Sequence, residues 1–157
     1  MTIIALGDTV SYDAGLAGGI KTTAGLVTMI PAAGSIPSFP TGSVSLSAGS
    51  ANVANASGVA TLTGTATTRV YISGFQVTGA GATAGAVVTV TVAGLLGGTR
   101  SFTYTFATGA VVANEPLLVQ FTPPLPASAV NTPIVVTCPA SGTGGTNNTV
   151  NAQGFYV

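Results

Sequence analysis

The sequence predicts an all-β protein, an antiparallel jelly-roll-like β-sandwich carrying an extended N-terminal arm, and three observations lead there. From Gly58 onward, short runs of β-branched and aromatic residues alternate with Thr and Ser, the period-2 pattern of half-buried strands. Connections rich in Gly, Pro and Asn separate these runs at nearly regular spacing. No stretch of about twelve residues shows the period of a helix.

The clearest element is the hairpin at 86–106. Val88, Val90 and Val92 alternate with Thr89, Thr91 and Ala93, and Phe102, Tyr104 and Phe106 alternate with Ser101, Thr103 and Thr105. Gly94-Leu95-Leu96-Gly97-Gly98 between them supplies glycines where a turn needs positive φ.

Residues 1–58 read differently. They are rich in Gly, Ala, Ser and Pro, and Pro31, Pro37 and Pro40 rule out a continuous helix there and disfavour a central strand. Ile3, Ile4, Leu6, Leu26, Val27, Met29 and Ile30 are too apolar for a typical disordered tail. This segment is therefore expected to be an extended arm with short strand pieces near 26–29 and 44–46, ordered against neighbouring subunits.

A sandwich domain is expected at 59–157, with strands at 59–63, 69–78, 86–93, 99–106, 116–121, 133–138 and 149–156. The two longer connections, around Asn114 and around Pro123-Pro124-Leu125-Pro126, are expected to cross between sheets, which favours a jelly roll over a meander. Tyr71 and Phe75 share one parity and Phe102, Tyr104 and Phe106 share another. Phe121 and Phe155 close later strands, so the aromatics read as packing residues.

Composition narrows the function. The chain is 46% hydrophobic and 4% charged, with three basic and three acidic residues and a formal net charge of zero. Soluble domains are about a quarter charged, and neutral surfaces associate, so this body is expected to work packed against other protein. Lys21, Arg69 and Arg100 are scattered, which argues against nucleic acid. No apolar run is long and uninterrupted enough for a membrane-spanning helix. The first twenty residues carry Asp8 and Asp13 and no basic stretch, unlike a secretory signal. Cys138 is the only cysteine, so no internal disulfide forms, and its strand-like neighbours read as those of a buried structural thiol.

Chemical motifs are sparse. Histidine is absent, which removes the commonest general base and most zinc sites. Asp8, Asp13 and Glu115 are the only acids, and the faint Asp-Thr-Gly likeness of Asp8-Thr9-Val10 and Asp13-Ala14-Gly15 is incomplete in both places. Gly79-Ala80-Gly81-Ala82-Thr83-Ala84 matches a dinucleotide fingerprint, but a Val-rich strand follows it where the fingerprint needs a helix. Gly142-Thr143-Gly144-Gly145 lacks the lysine of a phosphate loop. Pairs of the form Thr-x-Thr recur without a fixed repeat length and read as solvent-facing strand residues. The sequons at Asn55 and Asn147 read as chance. No enzyme activity, cofactor or metal is expected. Because charges are so few, Arg69, Arg100, Glu115 and Lys21 are the candidate interface residues.

Four phrases carry a resemblance: Arg69-Val70-Tyr71-Ile72-Ser73-Gly74-Phe75, the Val-Thr-Val-Thr-Val-Ala-Gly-Leu-Leu-Gly-Gly-Thr of 88–99, Pro123-Pro124-Leu125-Pro126-Ala127-Ser128-Ala129, and Asn151-Ala152-Gln153-Gly154-Phe155-Tyr156. Together they resemble the small jelly-roll decoration, or cement, proteins on the outside of tailed-bacteriophage heads. That resemblance implies a structural virion protein made in the host bacterial cytoplasm. It would be a homodimer or homotrimer, clamped at junctions between major capsid protein units and gripping the shell with extended termini. The reading from a different class is a carbohydrate-binding or adhesive β-sandwich, for example in a phage head or tail fibre. The absence of Trp and the scarcity of acids weigh against it.

Overall fold

The computed structural model describes residues 10–12, 20–22, 27–28, 40–82, 84–109, 115–140 and 147–157. The chain divides into two compact units, Met1–Thr41 and Gly42–Val157. In the first, β1 (Val10–Tyr12), β2 (Ile20–Thr22) and β3 (Val27–Thr28) form a small antiparallel sheet in the order β1-β2-β3.

The second unit holds β4 (Val44–Gly49), β5 (Gly58–Leu62), β6 (Val70–Ala80), β7 (Ala86–Ala93), β8 (Arg100–Phe106), β9 (Leu117–Pro126), β10 (Ile134–Cys138) and β11 (Asn147–Tyr156). They build two four-stranded sheets, β5-β10-β7-β8 and β4-β11-β6-β9. The pairing is nested: β7 with β8, β6 with β9, β5 with β10 and β4 with β11, each antiparallel. A long eight-stranded ribbon folded over in this way is a jelly roll, and the hairpin at 86–106 is its tip.

Alternation explains which face each strand buries. Ala60 and Leu62 of β5, Val90 and Val92 of β7, Tyr104 and Phe106 of β8, and Ile134, Val136 and Cys138 of β10 lie in the core, with Val70, Ile72, Phe75 and Val77 of β6 and Val150 and Ala152 of β11 opposite. Phe75 meets Phe102 edge-on at a centroid distance of 5.2 Å and lies 6.2 Å from Phe121, so aromatic rings bridge the two sheets. At the hairpin tip Gly94, Gly97 and Gly98 adopt φ of 85°, 131° and 90°, the positive values expected of that turn.

Three expectations are corrected. The sandwich begins at Gly42 rather than 59, because β4 pairs with β11 along its whole length, from Tyr156↔Val44 to Asn151↔Gly49. Leu46 and Ala48, set between Ser and Gly, pack on the core from a strand whose apolar signal is diluted. The segment Pro123-Pro124-Leu125-Pro126 does not cross between sheets; it completes β9. An edge strand tolerates prolines because its outer N–H groups need no partner. The other long connection, around Asn114, falls outside the described residues. Tyr71 and Phe75 do not share a face, because pairing on both sides of β6 skips Ser73 between Ile72 and Gly74. This bulge flips the alternation, so Phe75 joins the core while Tyr71 stacks on Phe155 at 5.0 Å and 5° on the opposite face.

The Gly79–Ala82 stretch has a packing role. A Cβ on Gly79 would stand 2.1 Å from Cε1 of Phe106, whose side chain is fully buried. Gly79→Ala is expected to destabilise the sandwich by about 1–3 kcal/mol through overpacking. Urea denaturation measures this, and adding Phe106→Leu should recover part of the loss.

Candidate functional site

These strands form three surfaces and one buried cluster of note. The buried cluster centres on Asn148 of β11, 3% exposed. Its Nδ2 donates to the carbonyl oxygens of Cys138 and Pro139, both at 3.3 Å, and of Ala56 at 3.5 Å, tying the lead into β5 to the end of β10. The Asn148 Oδ1 is buried without a hydrogen-bond partner. Burial pushes the neighbouring Cys138 thiol up to about 11, with the Asn148 side chain pulling the other way. Burial also raises Tyr104, the Cys138 sulfur adds to that, and the Gly79 backbone opposes it. These groups favour their neutral forms, as a structural cluster should.

Three of the sequence-predicted interface residues, Arg69, Arg100 and Glu115, stand at or just before the starts of three different strands of the second unit. Arg69 precedes β6, where its backbone N–H donates to Val157 at 2.8 Å and its carbonyl accepts from Val157 at 3.1 Å. Glu115 is exposed in the lead to β9. Arg100, exposed at the start of β8, lines a recess of about 240 Å³ with Leu95, Leu96, Leu125 and Pro126 at the hairpin tip. Lys21 belongs to β2 of the other unit. Among the described residues no group of three His, Cys, Asp or Glu side chains could hold a metal, and no helix is long and apolar enough to cross a membrane.

The outer face of the β5-β10-β7-β8 sheet is a continuous uncharged surface. Register places Val59, Thr137, Thr91 and Ser101 in one row across all four strands, followed by Thr89 beside Thr103 and Val87 beside Thr105. Val87 is 70% exposed and Val59 42%. The Thr-x-Thr pairs within β7 and β8 thus do face outward, as their alternation with core residues requires.

The opposite sheet carries a groove of about 350 Å³, lined by Ser47 and Gly49 of β4, Gln76 of β6, Leu118 and Gln120 of β9, and Asn151 and Gln153 of β11. Register arranges these in two adjacent rows, Gly49–Asn151–Gln76–Leu118 and Ser47–Gln153–Gly74–Gln120. Beside them the Ser73 hydroxyl donates to the Gln153 carbonyl at 3.1 Å, holding the bulge.

No protein-family model, curated protein or solved structure matches this chain. The geometry alone therefore ranks its surfaces. Sequence reasoning missed the groove because Gln76, Gln120 and the Asn151/Gln153 pair lie far apart along the chain, and only strand register unites them. The signal present in sequence is that each occupies a non-core position of a strand. The two sequons have plain local roles: Asn147 Oδ1 accepts from Asn52 Nδ2 at 2.7 Å, and Asn55 takes a positive φ of 52° in an exposed turn.

The raised Cys138 value fixes a pH dependence. Below about pH 8.5, the ordinary thiol range, both folded and unfolded chains keep the proton. Between there and about pH 11 the unfolded chain loses it first, so stability falls as pH rises. Denaturation midpoints followed across that window should drop more steeply for the native sequence than for Cys138→Val. The folded thiol should also resist iodoacetamide at neutral pH until the chain is unfolded.

Proposed function

We propose that this protein is a non-enzymatic structural component of a virion, a capsid decoration protein that binds the outer surface of a phage head and strengthens contacts between major capsid protein units. The observation that carries this reading is the outer face of the β5-β10-β7-β8 sheet. It spans four strands, and none of its paired rows contains an ionisable side chain. Covering it strands no charge, and burying an unpaired charge is among the costliest events at an interface. Thr and Ser hydroxyls on this face both donate and accept, so they can satisfy polar groups on whatever covers them.

A decoration protein needs repeated, moderate contacts multiplied by shell symmetry. Copies of a standard patch, about 800 Å² per partner, supply that without an active site. In this reading the protein is a homodimer or homotrimer on the shell, and the N-terminal unit, with Lys21, reaches a neighbouring subunit. Arg100, beside the apolar recess at the hairpin tip, is the charged residue best placed at the rim of such a contact.

The test is addition of purified protein to heads lacking it. Co-sedimentation should saturate at a fixed number of copies per capsid unit. Thr91→Lys, which places a charge at the middle of the uncharged row, should weaken binding by about tenfold or more while leaving the unfolding midpoint nearly unchanged. Failure to co-sediment, or a Thr91→Lys variant that binds like the native chain, would count against the proposal.

A further inference from the structure

The groove on the β4-β11-β6-β9 sheet goes beyond the decoration reading and does not rest on it. Four carboxamides, Gln76, Gln120, Asn151 and Gln153, converge there from three strands, and Ser47 completes the set from the fourth. Their volume of about 350 Å³ is that of a small-ligand site, which typically ranges over about 300–1,000 Å³. Gaps in the two rows make room for the amides. Asn151 Oδ1 lies 2.7 Å from where a Cβ of Gly49 would be, and Gln120 Oε1 lies 2.7 Å from where one of Gly74 would be. Side chains at those two positions would push both oxygens out of place. The bulge at Ser73 bends β6 beside the groove, as bulges near binding sites do.

The chemistry of the lining selects the ligand class. Each carboxamide offers two N–H donors and a carbonyl acceptor. Phosphates and carboxylates are most often held by cationic side chains or helix N-termini, and cations by sets that include carboxylates; no residue lining the groove is charged. A hydroxyl both gives and takes a hydrogen bond, so a polyhydroxylated neutral molecule matches a mixed donor and acceptor floor. Leu118, 64% exposed at the end of one row, offers an apolar contact for the C–H face of a sugar ring. An extended peptide fits less well, because peptides add to sheets along an edge. The groove instead lies across the face, and the neighbouring edge of β9 carries Pro123, Pro124 and Pro126.

We propose that this groove binds an uncharged oligosaccharide. If the opposite sheet face is the one laid on a capsid, the groove points outward, where a glycan on a cell surface could reach it.

The experiment is a titration of the full-length, isotope-labelled protein with cello-, malto-, xylo-, galacto- and chito-oligosaccharides, followed by ¹H–¹⁵N spectra. Heparin fragments and a neutral peptide serve as the charged and peptidic comparisons. At least one neutral oligosaccharide should move the side-chain amide signals of Gln76, Gln120, Asn151 and Gln153. Gln120→Ala combined with Asn151→Ala should weaken that binding about tenfold or more with the unfolding midpoint held. Silence from the whole neutral panel at millimolar concentration overturns the proposal. So does binding that the double variant leaves intact, or a response confined to heparin or the peptide. Head binding is read separately by co-sedimentation, so either proposal can fail without the other.

Discussion

The structure depends on the insertion of β11 between β4 and β6. The final strand of the roll hydrogen-bonds to the first on one side and to the third on the other, so the β4-β11-β6-β9 sheet forms only when segments about a hundred residues apart have met. Long loops must close before these contacts repay them, and such topologies fold slowly. The close approach is built into the sequence. A Cβ on Gly154 would stand 2.0 Å from the backbone oxygen of Tyr71, so the β11–β6 ladder requires the smallest residue there.

That one pairing also sets the two faces of the molecule apart. On one sheet, alternation against a Val, Ile and Phe core leaves Thr, Ser and Val outside. On the other, the bulge at Ser73 and the register of β11 gather amides instead. In the second unit, the described charges stand off these outward rows, with Arg69 and Glu115 in the leads to β6 and β9 and Arg100 at the start of β8. A surface that repels nothing and attracts no counter-ions associates readily with an equally neutral partner. The prolines of β9 blunt one sheet edge, a common device against uncontrolled edge-to-edge pairing.

Much of the fold was legible in the residues. Val88, Val90 and Val92 against Phe102, Tyr104 and Phe106 could hardly form anything but a hairpin with one buried face, and strands 86–93 and 133–138 fall within a residue of their observed bounds. Three features escaped. The strand piece expected at 44–46 is there, but its extension to Gly49 and its place in the sandwich escaped, because Leu46 and Ala48 give only a weak alternation until β11 is in place beside them. Prolines hid the second half of β9, since their cost depends on edge position, which is a tertiary property. The parity change at Ser73 came from pairing on both sides of β6, and local propensity carries no trace of it. The groove was illegible for the same reason, because Gln76 and Gln120 join the Asn151/Gln153 pair only through register. Of the charged residues singled out for their scarcity, Arg100 lines a recess at the hairpin tip, and Arg69 and Glu115 stand in the leads to β6 and β9.

At the centre of this account is the proposal that a neutral sheet face is covered by other protein without the help of ion pairs. Its most direct test is the salt dependence of head binding. Raising the salt from about 0.05 to 0.5 M shortens electrostatic screening from well over 10 Å to a few ångströms. The account predicts an affinity that stays constant within about threefold, or strengthens, over that range. A decline of tenfold or more would show that Arg69, Arg100 or Lys21 carries the contact through charge, and would contradict it.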